Sequence, residues 1–363
     1  MIPLSIGLVY ETFETYPRRP GDPPDSHVEY EPESTIEALE HAIAHLGHRP
    51  VRLGSPLELR ARLEESRLLP VDAVFNLSEG FGSRNREAWA PVLLEMAGVP
   101  VLGSDALTLS LTLDKAWANR WAQAGGIPVA PQTTLASVEA AKRAELPAPF
   151  PLFVKPRWEG TAKGIRRSSR VSSRAQLLAE VARIVTDYDQ PALVEAFLPG
   201  AEYTVSLVGN DPPQVLPALQ RAIELDSGIG VHALEGPGRP DPVAAFDHAP
   251  LGVLEPGLER RLAELSRSVF SLFECRDFAR VDFRLNGEGD PIFLEINPLP
   301  TFATDGTFAI LAELEGCSLA EMLSRCVSAG LARLGLGEAP GIDVAPGHGV
   351  GGVGGTRTRR RGR

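Results

Sequence analysis

Cysteine is scarce in this chain of 363 residues: Cys275, Cys317 and Cys326 are the only three, with no CxxC pair among them. An odd, scattered set excludes a disulfide framework and a zinc knuckle, and predicts reduced thiols buried as small apolar side chains. Long apolar runs are also missing. No stretch approaches the roughly 18 residues that a membrane-spanning helix needs. The first ten residues, Met1 to Tyr10, lack the basic start and small-residue cleavage site of a secretion signal. They read instead as a first buried strand, so a cytoplasmic location is expected. Positive charge is in deficit, with 36 Lys and Arg against 47 Asp and Glu and a net charge of -11. This argues against a general nucleic-acid binder, whose affinity rests on neutralising phosphates. The exception is a basic block at residues 357–363 behind the Gly-rich run 347–355, a composition that predicts a disordered tail. Loops of the GxxxxGK[ST] and GxSxG types do not occur. His41 and His45 stand four apart on a predicted helix and read as neighbouring surface positions.

What is present is an alternation of strand and helix. Over residues 1–103, predicted strands at 3–9, 51–53, 71–77 and 99–102 alternate with helices at 34–46, 56–65 and 87–97, which predicts a small parallel sheet covered by helices. Strand ends in such sheets carry ligand-facing loops. Here these are the acidic, Pro-rich segment 10–32, with Glu29 and Glu31, and segment 78–86, with Glu79 at its mouth and Arg84 and Arg86 behind it. Ser104 or Asp105 caps one long predicted helix that runs to Ala124 and ends at Gly125 and Gly126. A second unit follows, with a strand at 128–131, a helix at 137–144 and a strand at 150–155 ending on Lys155. Then come the loop 156–164, a strand at 165–171, and a helix from Ser172 or Ser173 to Tyr188. Backbone N–H groups of such a small-residue loop fit phosphates, with Lys155 as a point charge beneath; a hairpin turn without ligand suits the same residues.

Residues 192–208 read as two strands broken at Pro199 and Gly200. The backbone at that break is free to read an adenine edge, and Glu195 or Glu202 suits ribose hydroxyls; strand-end acids are the plainer reading. Residues 214–220 form another predicted strand, 223–249 a polar segment long enough for a mobile active-site loop, and 255–275 an amphipathic helix. The pattern that organises the chain is 278–297, two alternating runs joined by turn residues 286–290. Antiparallel pairing brings Asp282 near Glu295 and Asn297, with Arg280 and Arg284 on the same face. Two carboxylates and an amide oxygen suit Mg²⁺ bound together with phosphates; a solvated face with a surface salt bridge is the alternative. Helices near 307–314 and 318–334 complete the chain.

Taken in order, Thr112 to Lys115, Phe153 to Pro156 with the loop 159–164, residues 193–202, and Arg280 to Asp282 with 294–297 resemble the ATP-grasp superfamily. Within it the chain is most similar to the D-alanine–D-alanine ligase-like branch, over nearly residues 1–334. The resemblance implies a mixed α/β, three-domain architecture. An N-terminal domain (1–112), a central subdomain (113–193) and a C-terminal subdomain with a metal site (194–336) precede the tail 337–363, and ATP lies between the last two domains. It places Lys115 and Lys155 on phosphates, and Glu159, Gly160, Thr161, Ala162 and Gly164 in a covering loop. Ala196, Phe197 and Leu198 fall at the adenine and Glu202 at the ribose, with Glu195 counted among the nucleotide-binding residues. Asp282, Glu295 and Asn297 are implied to hold two Mg²⁺ ions, with Mn²⁺ as a substitute. Arg280, at the oxyanion, forms the expected catalytic set with Lys155 and Glu79.

The implied function is an ATP-dependent carboxylate–amine ligase that joins amino acids or small peptides through an acyl phosphate and releases ADP and phosphate. D-alanine–D-alanine ligase proper, in cell-wall synthesis, and an ATP-binding regulatory protein without ligase activity stand as alternatives. The expected partners are amino-acid or small-peptide substrates, with no nucleic acid and no membrane, and a homodimer is an allowed state. Departures from the family pattern fall in the substrate pocket: Glu79 stands where the family commonly has a histidine, Thr301 replaces a glycine beside the oxyanion, and residues 223–232 hold neither Tyr nor Lys.

Overall fold

The computed structural model describes residues 2–66, 68–235, 246–247 and 254–337. Strands β1 (Ser5–Val9), β2 (Arg49–Gly54), β3 (Ala73–Asn76) and β4 (Val101–Leu102) alternate with helices α1 (Glu33–His45), α2 (Pro56–Glu65) and α3 (Trp89–Met96). The four strands pair in parallel in the order β2-β1-β3-β4. All four side chains of β3 are buried, as expected of a strand covered by helices. Helix α2 has the expected bounds: the Ser55 hydroxyl accepts from Glu58 N, the Glu58 carboxylate reaches back to Ser55 N, and Pro56 opens the first turn. The helix expected at 87–97 begins instead with a short 3-10 turn, Arg86–Ala88, before α3.

The single long helix expected from residue 104 to 124 is two: α4 (Ala106–Leu113) and α5 (Lys115–Ala124). Asp105 caps the first. Asp114 ends it with extended backbone (φ -83°, ψ 91°), and its carboxylate caps the second by accepting from Trp117 N. The same carboxylate takes a two-pronged bond from Arg157, at 2.7 and 2.8 Å, and one from Trp158 Nε1 at 3.1 Å. A partner 43 residues away breaks the helix and turns Lys115 into position at the start of α5.

The second sheet is antiparallel, in the order β5-β8-β6-β7, with β5 (Gln132–Leu135), β6 (Leu152–Pro156), β7 (Arg170–Val171) and β8 (Ala192–Ala196). Helices α6 (Val138–Arg143) and α7 (Arg174–Tyr188), capped by Ser137 and Ser173, bury Leu177, Val181 and Ile184 against its Leu152, Val154 and Val194. Two strand expectations are corrected here. Residues 128–131 form only a bridge from Val129 to Phe293, because the strand proper starts at Gln132. Of 165–171 only Arg170–Val171 pairs, since Arg167–Ser169 coil into a 3-10 turn.

The third sheet holds β9 (Glu202–Val208), β10 (Gln214–Val215), β11 (Leu219–Arg221), β14 (Phe278–Leu285) and β15 (Pro291–Asn297), in the order β10-β9-β14-β15 with β11 also on β9. The strand expected at 214–220 is therefore two short ones. Between them and β14 lie β12 (Ile223–Glu224) paired with β13 (Phe246–Asp247), α8 (Val231–Leu234) and α9 (Pro256–Leu272). Helices α10 (Thr307–Glu315) and α11 (Leu319–Arg333) then return to the first sheet. There Phe302, Phe308, Leu311 and Met322 share one core with Ile6, Leu8, Ile36 and Phe75. Phe75 stacks on Phe278 at 5.2 Å and meets Phe302 edge-on at 5.4 Å, so the first and third sheets are joined by apolar packing. Asp277, with no exposed surface, clamps the same junction by accepting from Gly103 N and Arg333. The expected tail lies outside the described residues, apart from Gly337, as does much of the segment 223–249.

Candidate active site

The hairpin β14–β15 pairs Arg280 with Asn297 and Asp282 with Glu295, so both rows share one face, as its alternation predicts. An irregularity after Asp282 then opposes Phe283 to Phe293 and leaves Leu294 as an extra residue lining the cavity beside Glu295. Asp282 accepts from the Thr204 hydroxyl on β9 and from Arg280 Nη2 at 2.9 Å. The Asn297 amide lies 3.3 Å from both Asp282 and Glu295. From α5, Lys115 Nζ reaches Glu295 at 2.8 Å. Burial raises the cost of charge on Glu295, but Lys115, Lys155 and Arg280 outweigh it and hold its carboxyl down at about 2. Burial likewise opposes the Lys115 charge, and Glu295 more than restores it, so its pKa is raised.

These donors fit a hard divalent cation. Among the described residues no cluster of three or more His, Cys, Asp or Glu could hold a metal alone. Two carboxylates and an amide are the limited set that Mg²⁺ takes when substrate phosphates and water supply its other oxygens.

This face bounds a cavity of about 260 Å³, whose opposite wall comes from the second sheet. There Lys155, near the end of β6, pairs with Glu195 on β8 at 2.8 Å. Ala196, the last residue of β8, and Phe197 and Leu198, which begin the link to β9, line the same cavity, as do Glu159, Thr161, Ala162 and Lys163. The Phe197 ring lies under the Arg170 guanidinium at 4.5 Å and near that of Arg284 at 5.3 Å. Glu202 stands 3.5 Å from Arg284, and burial raises its pKa against that partner.

The loop 159–164 is held by the segments that follow β1 and β3. Glu29 accepts from Gly160 N and pairs with Lys163 at 2.9 Å and with Arg86. Asp25 accepts from Gly164 N at 2.9 Å and from the Tyr188 hydroxyl at 2.8 Å, and Arg86 donates to Trp158 O at 2.8 Å. Burial disfavours a charged Glu29, yet Arg86 and Lys163 keep it far below the usual carboxylate range. Thr161 and Ala162 take left-handed backbone, φ 48° and 52°, which costs non-glycine residues energy and requires a surrounding structure to impose it. At Gly164 (φ +79°) a β-carbon would lie 2.5 Å from Pro156 Cγ. Gly164 itself stands outside the cavity lining, with its N–H on Asp25, and Gly160 faces the second cavity instead.

That second, smaller cavity of about 40 Å³ shares Lys115, Thr161, Arg280 and Thr301 with the first, and is bordered by Glu29, Glu31, Glu79 and Glu87. Burial and the neighbouring Glu87 push Glu79 well above the ordinary carboxylate range, and burial lifts Glu87 to about 7. Burial also raises Glu31, despite bonds from Thr35 and Thr301.

Residues 121–328 match the family model of the D-Ala-D-Ala ligase C-terminus. The chain belongs to the D-alanine–D-alanine ligase family. It is 32% identical to the uncharacterized protein y4sG of Sinorhizobium fredii over 88% of this chain and 91% of that one. It is 27% identical to a D-alanine–D-alanine ligase of Pelotomaculum thermopropionicum over 83% and 92%. Among solved structures, the VanG D-Ala:D-Ser ligase of Enterococcus faecalis superposes with a TM-score of 0.67 at 19% identity, covering 90% of this chain and 99% of that one. The D-alanine–D-alanine ligase of Bacillus anthracis, complexed with ATP, gives 0.65 at 18%, covering 91% and 98%. The fold is therefore the ATP-grasp fold of these ligases.

For this member of the family, the sequence singled out the acids of the hairpin, both lysines and the linker, and the structure brings them to one cavity. It also gathers groups that sequence reasoning left unassigned: Asp25, Arg86, Glu87, Lys163 and Arg221. Arg86 and Glu87 lie seven and eight residues from Glu79, in the 3-10 turn that follows its loop, a signal of position only. Arg221, the last residue of the short strand β11, carried none.

Proposed function

We propose that the protein is a Mg²⁺-dependent, ATP-using ligase that joins the carboxylate of one amino acid or small peptide to the amine of another in the cytoplasm. The observation that carries this reading is the meeting of Lys115, Lys155 and Arg280 with Asp282, Glu295 and Asn297 beside the 196–198 linker. Asp282, Glu295 and Asn297 would hold the Mg²⁺, which offsets phosphate charge when bound. Lys115 and Lys155 supply positive charge near the transferred phosphoryl group, and the backbone and ring of Phe197 suit an adenine. A substrate carboxylate oxygen attacks the γ-phosphorus and ADP leaves. The amine nitrogen then attacks the acyl carbon, the C–O bond to phosphate breaks, and the amine proton is lost. Arg280 lines both cavities and so stands where an oxyanion forming between them would meet a fixed cation. The second cavity's carboxylates suit an ammonium group, and the loop 159–164 over both cavities suits exclusion of water.

The identities of the relatives favour D-alanine, while Glu79 and Thr301 alter the pocket that would receive it. A screen of D- and L-amino-acid pairs by coupled ADP release decides both points. Turnover with at least one pair is expected, and ATP binding without turnover for any pair would overturn the ligase reading.

A further inference from the structure

Among the described residues, Arg221 is the one lysine or arginine lining the larger cavity that forms no salt bridge with a carboxylate. Each of the other lysines and arginines that line it has one: Lys115 and Lys155 at 2.8 Å, Lys163 at 2.6 Å, Arg280 at 2.9 Å and Arg284 at 3.5 Å. Arg221 instead donates from Nη2 to the Thr307 hydroxyl at 2.8 Å, and Asp282 and Glu202 favour its charge without a salt bridge. Burial and the field of Arg280 lower its pKa, so the site taxes the charge that it holds. A guanidinium never deprotonates at working pH, and withdrawing it from water without an anion is unfavourable. An arrangement of this kind becomes satisfied when an anion arrives.

The sheet register says which anion. Arg221 pairs with Glu202 across β11 and β9, and Glu202 pairs with Arg284 across β9 and β14. Two residues further along β9 is Thr204 opposite Asp282, and two further again is Ser206 opposite Arg280. Each step is about 6.7 Å at the usual strand rise. The row of Arg221 thus starts beside the 196–198 linker, and its side chain lies within the fields of Asp282 and Arg280. A polyphosphate chain leading from a nucleoside at the linker to a metal at Asp282 and Glu295 passes this side chain. Thr307 opens α10, whose cap residue Gly306 has no side chain to offer, so the positive end of a nine-residue helix faces the same cavity.

We propose that Arg221, held by Thr307, binds the γ-phosphoryl group of the nucleotide and is a catalytic residue for its transfer. The proposal rests on the reading of the cavity as an ATP site. It is tested on the full chain by titration calorimetry with Mg²⁺ and either ADP or a non-hydrolysable ATP analogue, for wild type, Arg221→Ala, Arg221→Lys and Thr307→Val. A charge-assisted bond of this kind corresponds to roughly 10- to 100-fold in affinity. Arg221→Ala is expected to lose about that factor for the analogue and less than about threefold for ADP, with Arg221→Lys in between and Thr307→Val following in the same direction. Equal losses for the two nucleotides, or no loss, overturn the assignment of Arg221. A raised KM for the acceptor amine with nucleotide selectivity intact also overturns it, in favour of a seat for the acceptor's carboxylate. Failure of wild type to bind either nucleotide would instead remove the ATP-site reading itself. Circular dichroism of each variant separates these results from misfolding.

Discussion

Replacing Asp114 by alanine should do damage out of proportion to one surface-to-core contact, because this carboxylate holds three things at once. It is 2% exposed, caps α5 through Trp117 N, grips Arg157 in two places and accepts from Trp158 Nε1. A lost cap costs about 1 kcal/mol. The charge-assisted pair contributes about 1.5–3 kcal/mol, since the Arg157 side chain is only 15% exposed and solvates poorly when abandoned. The Trp158 bond adds about 1 kcal/mol. These terms share one group and do not add, so a loss of about 3–4 kcal/mol is expected for Asp114→Ala, and about half for Asp114→Asn, which keeps the cap oxygen. Urea denaturation followed by circular dichroism measures both, and a double-mutant cycle with Arg157→Leu should return a coupling of about 2 kcal/mol. Lys115 N also donates to Arg157 O at 3.2 Å, so the alanine variant should raise the KM for ATP. A loss below about 0.5 kcal/mol in Asp114→Ala, or a coupling near zero, would refute the claim that this contact breaks the helix and aims Lys115.

Three further outcomes follow from the same geometry. Glu295→Gln leaves Lys115 buried without its counter-charge, so kcat should fall by at least about 100-fold and the thermal midpoint should also drop; near-normal turnover would remove Glu295 from the metal set. Asp25→Ala frees Gly164 N and the Tyr188 hydroxyl, so trypsin should cut at Lys163 or Arg166 several-fold faster than in wild type, and an unchanged rate would show that the loop is held by other contacts. Glu87 is protonated in the fold up to about pH 7 but in the unfolded chain only to about 4.5. Its stabilising contribution is therefore present below pH 4.5 and lost as the pH rises through 7, beside Glu79, Glu29, Arg86 and Lys115. Glu87→Gln should flatten that fall in a series of melts from pH 5 to 8, and parallel curves for the two proteins would contradict the raised pKa.

Local chemistry was legible in the sequence wherever neighbours along the chain decide structure. Helix α2 has the bounds expected of it, with Ser55, Pro56 and Glu58 forming its N-terminal start, and the alternation of 278–285 and 291–297 gave the register that sets Asp282 opposite Glu295. Features decided by distant partners were not legible. Nothing between residues 104 and 124 announces that Arg157 and Trp158 will break the helix at Asp114. Nor do residues 159–164 announce that Asp25 and Glu29 will take the N–H groups of Gly160 and Gly164. The candidate site shows the same division. Its lysines and hairpin acids lie in recognisable runs, whereas Arg221 acquires meaning only from its place in the folded cavity, where among the described residues it forms no salt bridge, and no single stretch of sequence records that.

The central claim is that a substrate carboxylate takes the γ-phosphoryl group before the amine attacks. Once a reactive pair is known, supplying the first substrate with ¹⁸O in its carboxylate and analysing the released phosphate by mass spectrometry tests this directly. The mechanism predicts transfer of one labelled oxygen from the carboxylate to phosphate for each ligation; phosphate released without label during turnover would contradict it.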